Sequence, residues 1–517
     1  IKAGMRKLSH LIEKKYREET GLEASLSSMW AGSKYYLSLY REYDDVRLVA
    51  APPVSIAAFG GDIDNWEWPQ YKGDFALYRV YGPDGKPITP SGWLPIDASA
   101  LAPGDFTFIL GYPGRTDRYS SSSKVNYLTT LSLPICNEVR ADQMAIMKKW
   151  MDREESVRLL YANKYFTLSN IQENQDGEVQ CVKRFGVRER KRKDERSMHR
   201  GRDGRHMRSL NASMDSLYTA LREPERNRIW YRETIVRGSG LSLVATRLKN
   251  ARKPLDMDKE YAVLDMRVEK ELFAYSVRKY YENVDSAMWG PYQKEVFYAH
   301  SPNGLTDWDA LVASLWTDSQ MSKTSPIYLF LTDRSIQDFN EKVQEVCGEH
   351  NLAELNAEYT RETYRHRERK KVDQYPDANS TLRLTYGKVG SFSRDGKTLP
   401  WQTCTDGILA REDSSSYDFR LHSEWSGLLS SLPAPIPVNF ITDNDITGGN
   451  SGSPVLNCRG ELVGLAFDGN KESLASDVYW VDGYTKCICV NISYVLWILK
   501  EYAGMDYLFP ELDVRKK

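Results

Sequence analysis

The stretch NDITGGNSGSPVLNCRGELVGLAFDGN (444–470) decides how the chain is read. In Thr447-Gly448-Gly449-Asn450-Ser451-Gly452-Ser453-Pro454, two glycines and Ser-Gly-Ser-Pro precede two apolar runs joined by Asn457-Cys458-Arg459-Gly460. The later part is a hairpin by composition, with turn residues between β-rich runs. The earlier part is a tight turn that presents one hydroxyl. A serine nucleophile needs backbone N–H groups aimed at the substrate's carbonyl oxygen, and glycine lets the backbone come close. The N–H groups of Gly449 and Ser451 are the candidates for that oxyanion hole. The Gly-x-Ser-x-Gly elbow of α/β-hydrolases does not fit. Ser453 stands where its second glycine belongs, and a hairpin follows instead of a helix. On the motif alone, a glycine-rich structural turn remains the alternative.

Outward from this stretch, the texture of the 517-residue chain changes twice. Residues 5–20 read as a charged helix ended by Gly21, and strand-like runs follow, among them DFALYRVY (74–81) and DFTFILG (105–111). From about residue 118 to 372, Gly and Pro are sparse and the apolar period is helical. Met144, Met147 and Met151 share a face, as do Phe273, Val277, Tyr280 and Val284, and then Phe339, Val343 and Val346. These stripes are read as core packing. After residue 378 the β texture returns in TLRLTYGKVG, PVNFITDND, VYWVDG and KCICVNI, and 493–503 read as a last helix. The expected organisation is residues 1–117 and 373–517 as two parts of one β domain, interrupted by a helical block, 118–372.

Lys plus Arg number 70 and Asp plus Glu 71, so no global field favours nucleic acid or an anionic membrane. No apolar run approaches the roughly 20 residues of a spanning helix. Residues 183–208 hold 12 Lys or Arg against 4 Asp or Glu, read as a solvated helix surface because only Phe185 supplies an aromatic. The seven cysteines are scattered and form no Cys-x-x-Cys pair, and no HExxH, Walker or Rossmann pattern stands out. No metal or organic cofactor is implied.

A nucleophilic serine works with a base, normally His, and an orienting acid. In chymotrypsin-like barrels the chain order is His, Asp, Ser. Asp74, at the start of DFALYRVY, is the acid candidate, although an Asp before a strand is commonly a turn or cap residue. At this point the motifs GGDIDNWEWPQYKGDFALYRVY (60–81), GDFTFILGYPGRTDRY (104–119), TLRLTYGKVG (381–390) and 444–470 resemble the bacterial serine dipeptidyl-peptidases 7 and 11. The resemblance runs from about residue 11 to the C-terminus and is weakest around 171–260.

The resemblance implies an all-β chymotrypsin-like double β-barrel, its first barrel incomplete here, with an inserted α-helical cap domain. It also implies release of dipeptides from the free N-terminus of oligopeptides. It makes Ser451 the nucleophile, Asp74 the triad acid and Gly449 an oxyanion donor. It places the grip on the substrate's α-ammonium at Asn65, Trp66, Asn170 and Asp468. In that family the residue after the last Asp sets specificity: an Arg accompanies acidic side chains at the second substrate residue, and a Gly bulky apolar ones. Here it is Gly469, so a hydrophobic preference of the dipeptidyl-peptidase 7 kind is expected. Homodimers and a periplasmic or cell-surface location also follow from the resemblance alone.

The sequence departs from the family in one respect that matters chemically. None of its seven histidines has the context of the triad His; only His10 precedes Asp74, on a charged helix. The expectation is an N-terminally truncated chain, its activity as given uncertain. A catalytically inert peptide-binding remnant that keeps the amine clamp is the alternative. Gln70-Tyr71-Lys72 also replaces the family's Arg-His-Thr approach to the acid.

Overall fold

The computed structural model describes residues 2–200, 204–316, 319–348 and 351–515. The chain divides into two compact units, residues 1–120 with 360–517, and residues 121–359.

In the first unit, the hairpin after the serine turn is built as its composition requires. Ser453–Asn457 pairs antiparallel with Leu462–Gly469, and Gly460 takes φ +75° in the connecting turn. These strands are central in a nine-stranded sheet. Its main path runs Gln402–Cys404, Pro437–Thr442, Cys487–Asn491, Leu462–Gly469, Ser453–Asn457, Phe106–Gly111, Arg383–Lys388, every neighbour antiparallel. Ile96–Asp97 joins off this path, parallel to Leu462–Gly469 and to Val514–Arg515. One apolar cluster gathers Ile109, Phe440, Val455, Val463, Ala466 and Cys489. A second, around Trp425, Val438, Tyr494 and Val495, seats the C-terminal helix Ile492–Trp497.

The expectation of an all-β chymotrypsin-like double barrel is corrected by this topology. The strands of the N-terminal part form no closed barrel: Glu23–Met29 pairs with Lys34–Tyr40, and Asp45–Ala50 with Leu77–Tyr81, each as a separate two-stranded ladder. The large sheet is an open path with ends at Gln402–Cys404 and Arg383–Lys388. Helices account for much of the chain, so the fold is mixed α and β. Alternating hydrophobicity tells which residues share a face of a strand; it does not tell which strands pair or whether the ends meet. A smaller departure has the same origin. VYWVDG alternates like a strand, but Val478 and Tyr479 donate back to the Ala475 carbonyl, and Gly483 at φ +80° turns the chain away.

The second unit is helical throughout its named elements. Ser121 caps the first helix, Ser122–Tyr127, its hydroxyl accepting from the Lys124 N–H. The longest helix is Glu155–Arg184. The apolar stripes pack as core. Met147 and Met151 meet Val157, Tyr161, Val268 and Leu272, while Phe273, Val277, Tyr280 and Val284 join an aromatic cluster with Tyr231, Trp289, Phe330 and Phe339. Val346 breaks its stripe: it is 42% exposed, and the neighbouring Cys347, the last residue of the helix, is the one that is buried. Among the described residues no helix is long and apolar enough to cross a membrane. All seven cysteines are free, with the Sγ atoms of Cys487 and Cys489 3.5 Å apart.

Candidate active site

The turn that carries Ser451 is fixed by its own backbone. The Asn450 N–H donates to the Thr447 carbonyl (3.1 Å), Ser453 to Asn450 (2.9 Å), and Gly452 across to Ala466 (2.7 Å). Gly449 adopts φ +103° and Gly452 φ +84°. A Cβ at Gly449 would lie 2.5 Å from the Tyr112 carbonyl oxygen and 2.8 Å from the Gly114 nitrogen, so only glycine fits. The segment Gly111-Tyr112-Pro113-Gly114 backs the turn, with the Gly114 N–H donating to the Gly448 carbonyl at 2.6 Å. Ser451 itself is exposed, and its Oγ donates to the Phe467 carbonyl at 3.1 Å.

A charged brace stands beside this turn, and the sequence motifs did not single it out. Arg118 donates from Nη2 to Asp445 (2.7 Å) and from Nε to the Ser476 carbonyl (2.5 Å), and stacks over Tyr375. Asp377 accepts the Arg118 N–H at 2.6 Å. Asp477 has its pKa pushed up to about 6 by burial, against the Thr447 hydroxyl bonded to it and the nearby Arg118 charge. The available signal was the Arg-Thr-Asp-Arg run following Pro113-Gly114.

Next along the hairpin, the peptide carrying the Phe467 carbonyl leads into Asp468. Its Oδ1 accepts the Gly469 N–H (2.8 Å), and its Oδ2 accepts the Trp66 N–H (3.3 Å) and Gln70 Nε2 (2.6 Å). Trp66 takes φ +57°, an uncommon conformation for a bulky residue, and its indole N–H is buried with no partner among the described residues. The Oε1 of Gln70 is buried and unpartnered too. Around this turn, Arg411 holds Asp64 (Nη2 to Oδ1, 2.7 Å), and Arg394 links Glu67 (2.8 Å) to Glu472 (2.6 Å).

Lys72 is the hidden member of this cluster. It is buried, and its positive charge acts on Asp64, Asp74 and Asp468 together. Burial pushes the carboxyls of Asp468 and Asp74 up, and Lys72 opposes the shift at both. Asp74 keeps an exposed face, but the surrounding protein desolvates its carboxylate. It follows Gly73, where a Cβ would meet Ile56 at 2.9 Å and Tyr494 at 3.0 Å, so the chain passes tightly before presenting the acid.

The structure therefore gathers Ser451, Gly449, Asp468, Gly469 and Trp66 in one neighbourhood, with Asn65 half-buried beside Trp66 and Asp74 linked through Lys72. Asn170 lies on the helix Glu155–Arg184 of the other unit. Gly469 is buried, and its missing Cβ would point at Ser473 Oγ (2.5 Å) and the Lys486 carbonyl (3.6 Å). Among the described residues no histidine is hydrogen-bonded to Ser451 or Asp74, and no group of His, Cys, Asp or Glu is arranged to hold a metal ion. His10 is exposed on the helix Lys2–Thr20.

The sequence pattern of the peptidase S46 family matches residues 2–328 and 306–514. The chain belongs to this family. As an S46 peptidase it falls in the enzyme class the motifs implied, the serine dipeptidyl-peptidases. A dipeptidyl-peptidase 7 of Capnocytophaga gingivalis is 28% identical over 97% of this chain and 77% of its own length. An Asp/Glu-specific dipeptidyl-peptidase of Porphyromonas gingivalis is also 28% identical, over 96% and 76%. The crystal structure of Porphyromonas endodontalis DPP11 with the dipeptide Arg-Glu superposes with a TM-score of 0.82 at 24% identity, covering 98% of this chain and 80% of that one. The S46 chain thus shares the mixed fold of that structure. Equal identity to relatives of two different names leaves side-chain preference to its own residues.

Proposed function

We propose that this S46 chain is the scaffold of a serine exopeptidase that frees dipeptides from the unblocked N-terminus of oligopeptides, preferring an apolar second residue. The observation that carries the reading is the continuity from Ser451 to Asp468. The hydroxyl that would attack is bonded to the carbonyl immediately before the carboxylate that would hold the α-ammonium. A half-buried carboxylate that shares the Lys72 charge with Asp64 and Asp74 can take a second cation, and one a fixed distance from the attacking oxygen counts residues from the chain end.

In this reading Ser451 Oγ attacks the second peptide carbonyl, and the oxygen that becomes negative is met by the Gly449 and Ser451 N–H groups. Asp74 orients the base; by resemblance that base is a histidine, and it must reach both Ser451 and Asp74. Asn65, Trp66 and Asp468 receive the amine; Asn170 is assigned to the same grip by resemblance alone. Gly469 supports the apolar preference because it contributes no cation where a carboxylate side chain would need one. Homodimer assembly and a periplasmic or surface location belong to the same proposal and rest on resemblance.

The test uses dipeptidyl fluorogenic amides. Substrates with Leu or Phe second and a free amine are expected to be cleaved, with Glu-bearing and N-acetylated ones at least tenfold slower, and Ser451→Ala is expected to lose about 10⁴-fold or more in kcat. Equal cleavage of acetylated substrates overturns the reading. A second reading, peptide binding without turnover, draws on one observation: among the described residues the Ser451 proton is committed to a main-chain carbonyl and not to a side-chain base. It predicts affinity for free-amine peptides without product, and no labelling of Ser451 by a fluorophosphonate.

A further inference from the structure

The basic run 183–208, read above as a solvated surface, places two of its arginines in a built cleft. Arg188 and Arg192 lie one turn apart on the helix Val187–Met198, and Arg222 opens the helix Arg222–Tyr231. All three line a cleft of about 280 Å³ within the helical unit, with Tyr127 and Tyr218 also in its wall. Several other arginines of this unit are spent on carboxylates: Arg140 and Arg232 on Glu233, Arg228 on Glu225, Arg247 on Glu260, Arg267 on Glu154. These three are not. Arg222 donates only to the hydroxyl (3.1 Å) and carbonyl (3.5 Å) of Thr130, and no ion pair joins Arg188 or Arg192 to a carboxylate among the described residues. The Nε of Arg188 is buried without any partner.

Uncompensated guanidiniums brought to one cavity repel one another and are stabilised by an anion. The one acid in the lining, Asp215, accepts the Ser123 hydroxyl. The next acids are committed elsewhere, Glu225 to Arg228 and the Tyr127 hydroxyl, Glu195 to the Ser122 N–H and hydroxyl. Three positive groups against one negative leave two charges for a ligand to balance. The cleft is larger than a bare oxyanion requires and just below the usual volume of a small-molecule site. Tyr127 and Tyr218, ring centroids 5.5 Å apart, supply an aromatic wall.

We propose that this cleft binds a dianionic phosphate monoester, its phosphate forked by Arg188, Arg192 and Arg222 and its organic group against the two tyrosines. The site is built entirely from residues of the helical unit, and the proposal does not depend on the peptidase reading. Calorimetric titration of the full chain with phenyl phosphate and with inorganic phosphate, at ionic strength matched with sodium chloride, tests it. Phenyl phosphate is expected to bind at least tenfold tighter than inorganic phosphate. The double variant R188Q/R192Q is expected to weaken phenyl phosphate by at least tenfold. Because Arg188 is partly buried, the exposed Arg192→Gln alone provides the control for folding: several-fold weaker binding with an unchanged melting temperature. Heats equal to those in sodium chloride, or equal affinity in both variants and the parent, overturn the proposal; inorganic phosphate binding as tightly as the ester overturns the tyrosine contact and leaves a free-phosphate site.

Discussion

The serine turn and the Asp468 cluster sit on the two ends of one strand connection, yet they are built on opposite principles. In the turn, the main-chain donors and acceptors bond one another and glycine is forced at Gly449 by a carbonyl 2.5 Å from where a Cβ would be. In the cluster, Asp468 is surrounded by donors, but Gln70 Oε1 and the Trp66 indole N–H are buried with nothing to bond. Buried polar atoms without partners cost about 1–3 kcal/mol each. The turn is a finished piece of geometry that presents a hydroxyl. The cluster is unfinished, and its spare acceptor is of the kind an ammonium satisfies.

The sharpest way to break that contrast is to fill the turn. Gly449→Ala puts a methyl into the Tyr112 carbonyl at a positive φ. The expected loss is about 2–4 kcal/mol in stability from strain and collision, with kcat down about 10²–10³-fold as an oxyanion donor moves. Urea denaturation and steady-state assays read the two separately. A variant as stable and active as the parent would mean the turn is pliable. A smaller effect is expected at the cluster. Asp468→Asn keeps the shape but removes the charge that would meet the amine, and about 10–100-fold should appear in KM for free-amine substrates, at nearly constant kcat. Equal loss on acetylated substrates would show that Asp468 only props the Trp66 turn.

The difference between the two regions also explains what could be read from the sequence. The serine turn is local: its glycines, its nucleophile and the following hairpin lie within residues 447–469, and short-range turn chemistry decides them. The helical stripes were legible for the same reason, since a period of 3.6 is a local property. The cluster is long-range. Trp66 and Gln70 meet Asp468 across some 400 residues, 402 and 398 apart, and nothing in the residues themselves marks Lys72 as the cation shared by Asp64, Asp74 and Asp468. Gln70-Tyr71-Lys72 registered only as a departure from a pattern, and the structure shows that its first and third members are embedded in the site. Barrel closure failed as an expectation on the same ground: pairing between distant strands is not written in any one of them.

The brace on Arg118 offers the smallest and most conditional test, because it asks whether the finished turn has a soft support. Asp477 holds the Thr447 hydroxyl at the start of the turn, yet burial raises its carboxyl to about 6. An acid whose pKa is higher in the folded protein than its ordinary value of 3.8 keeps its proton where the unfolded chain has already released it. Stability from this group therefore falls as pH rises between about 4 and 6 and is level above. Asp477→Asn removes the titration. The variant's stability relative to the parent should climb across that window by at most about 3 kcal/mol, after an offset for the lost bond to Thr447. Denaturation midpoints at pH 4, 5, 6 and 8 measure the climb. If the difference between variant and parent is flat with pH, the Asp477 carboxyl titrates in the folded protein where it does in the unfolded chain, Arg118 and the Thr447 hydroxyl balance its burial, and the support of the turn from this side does not soften with pH.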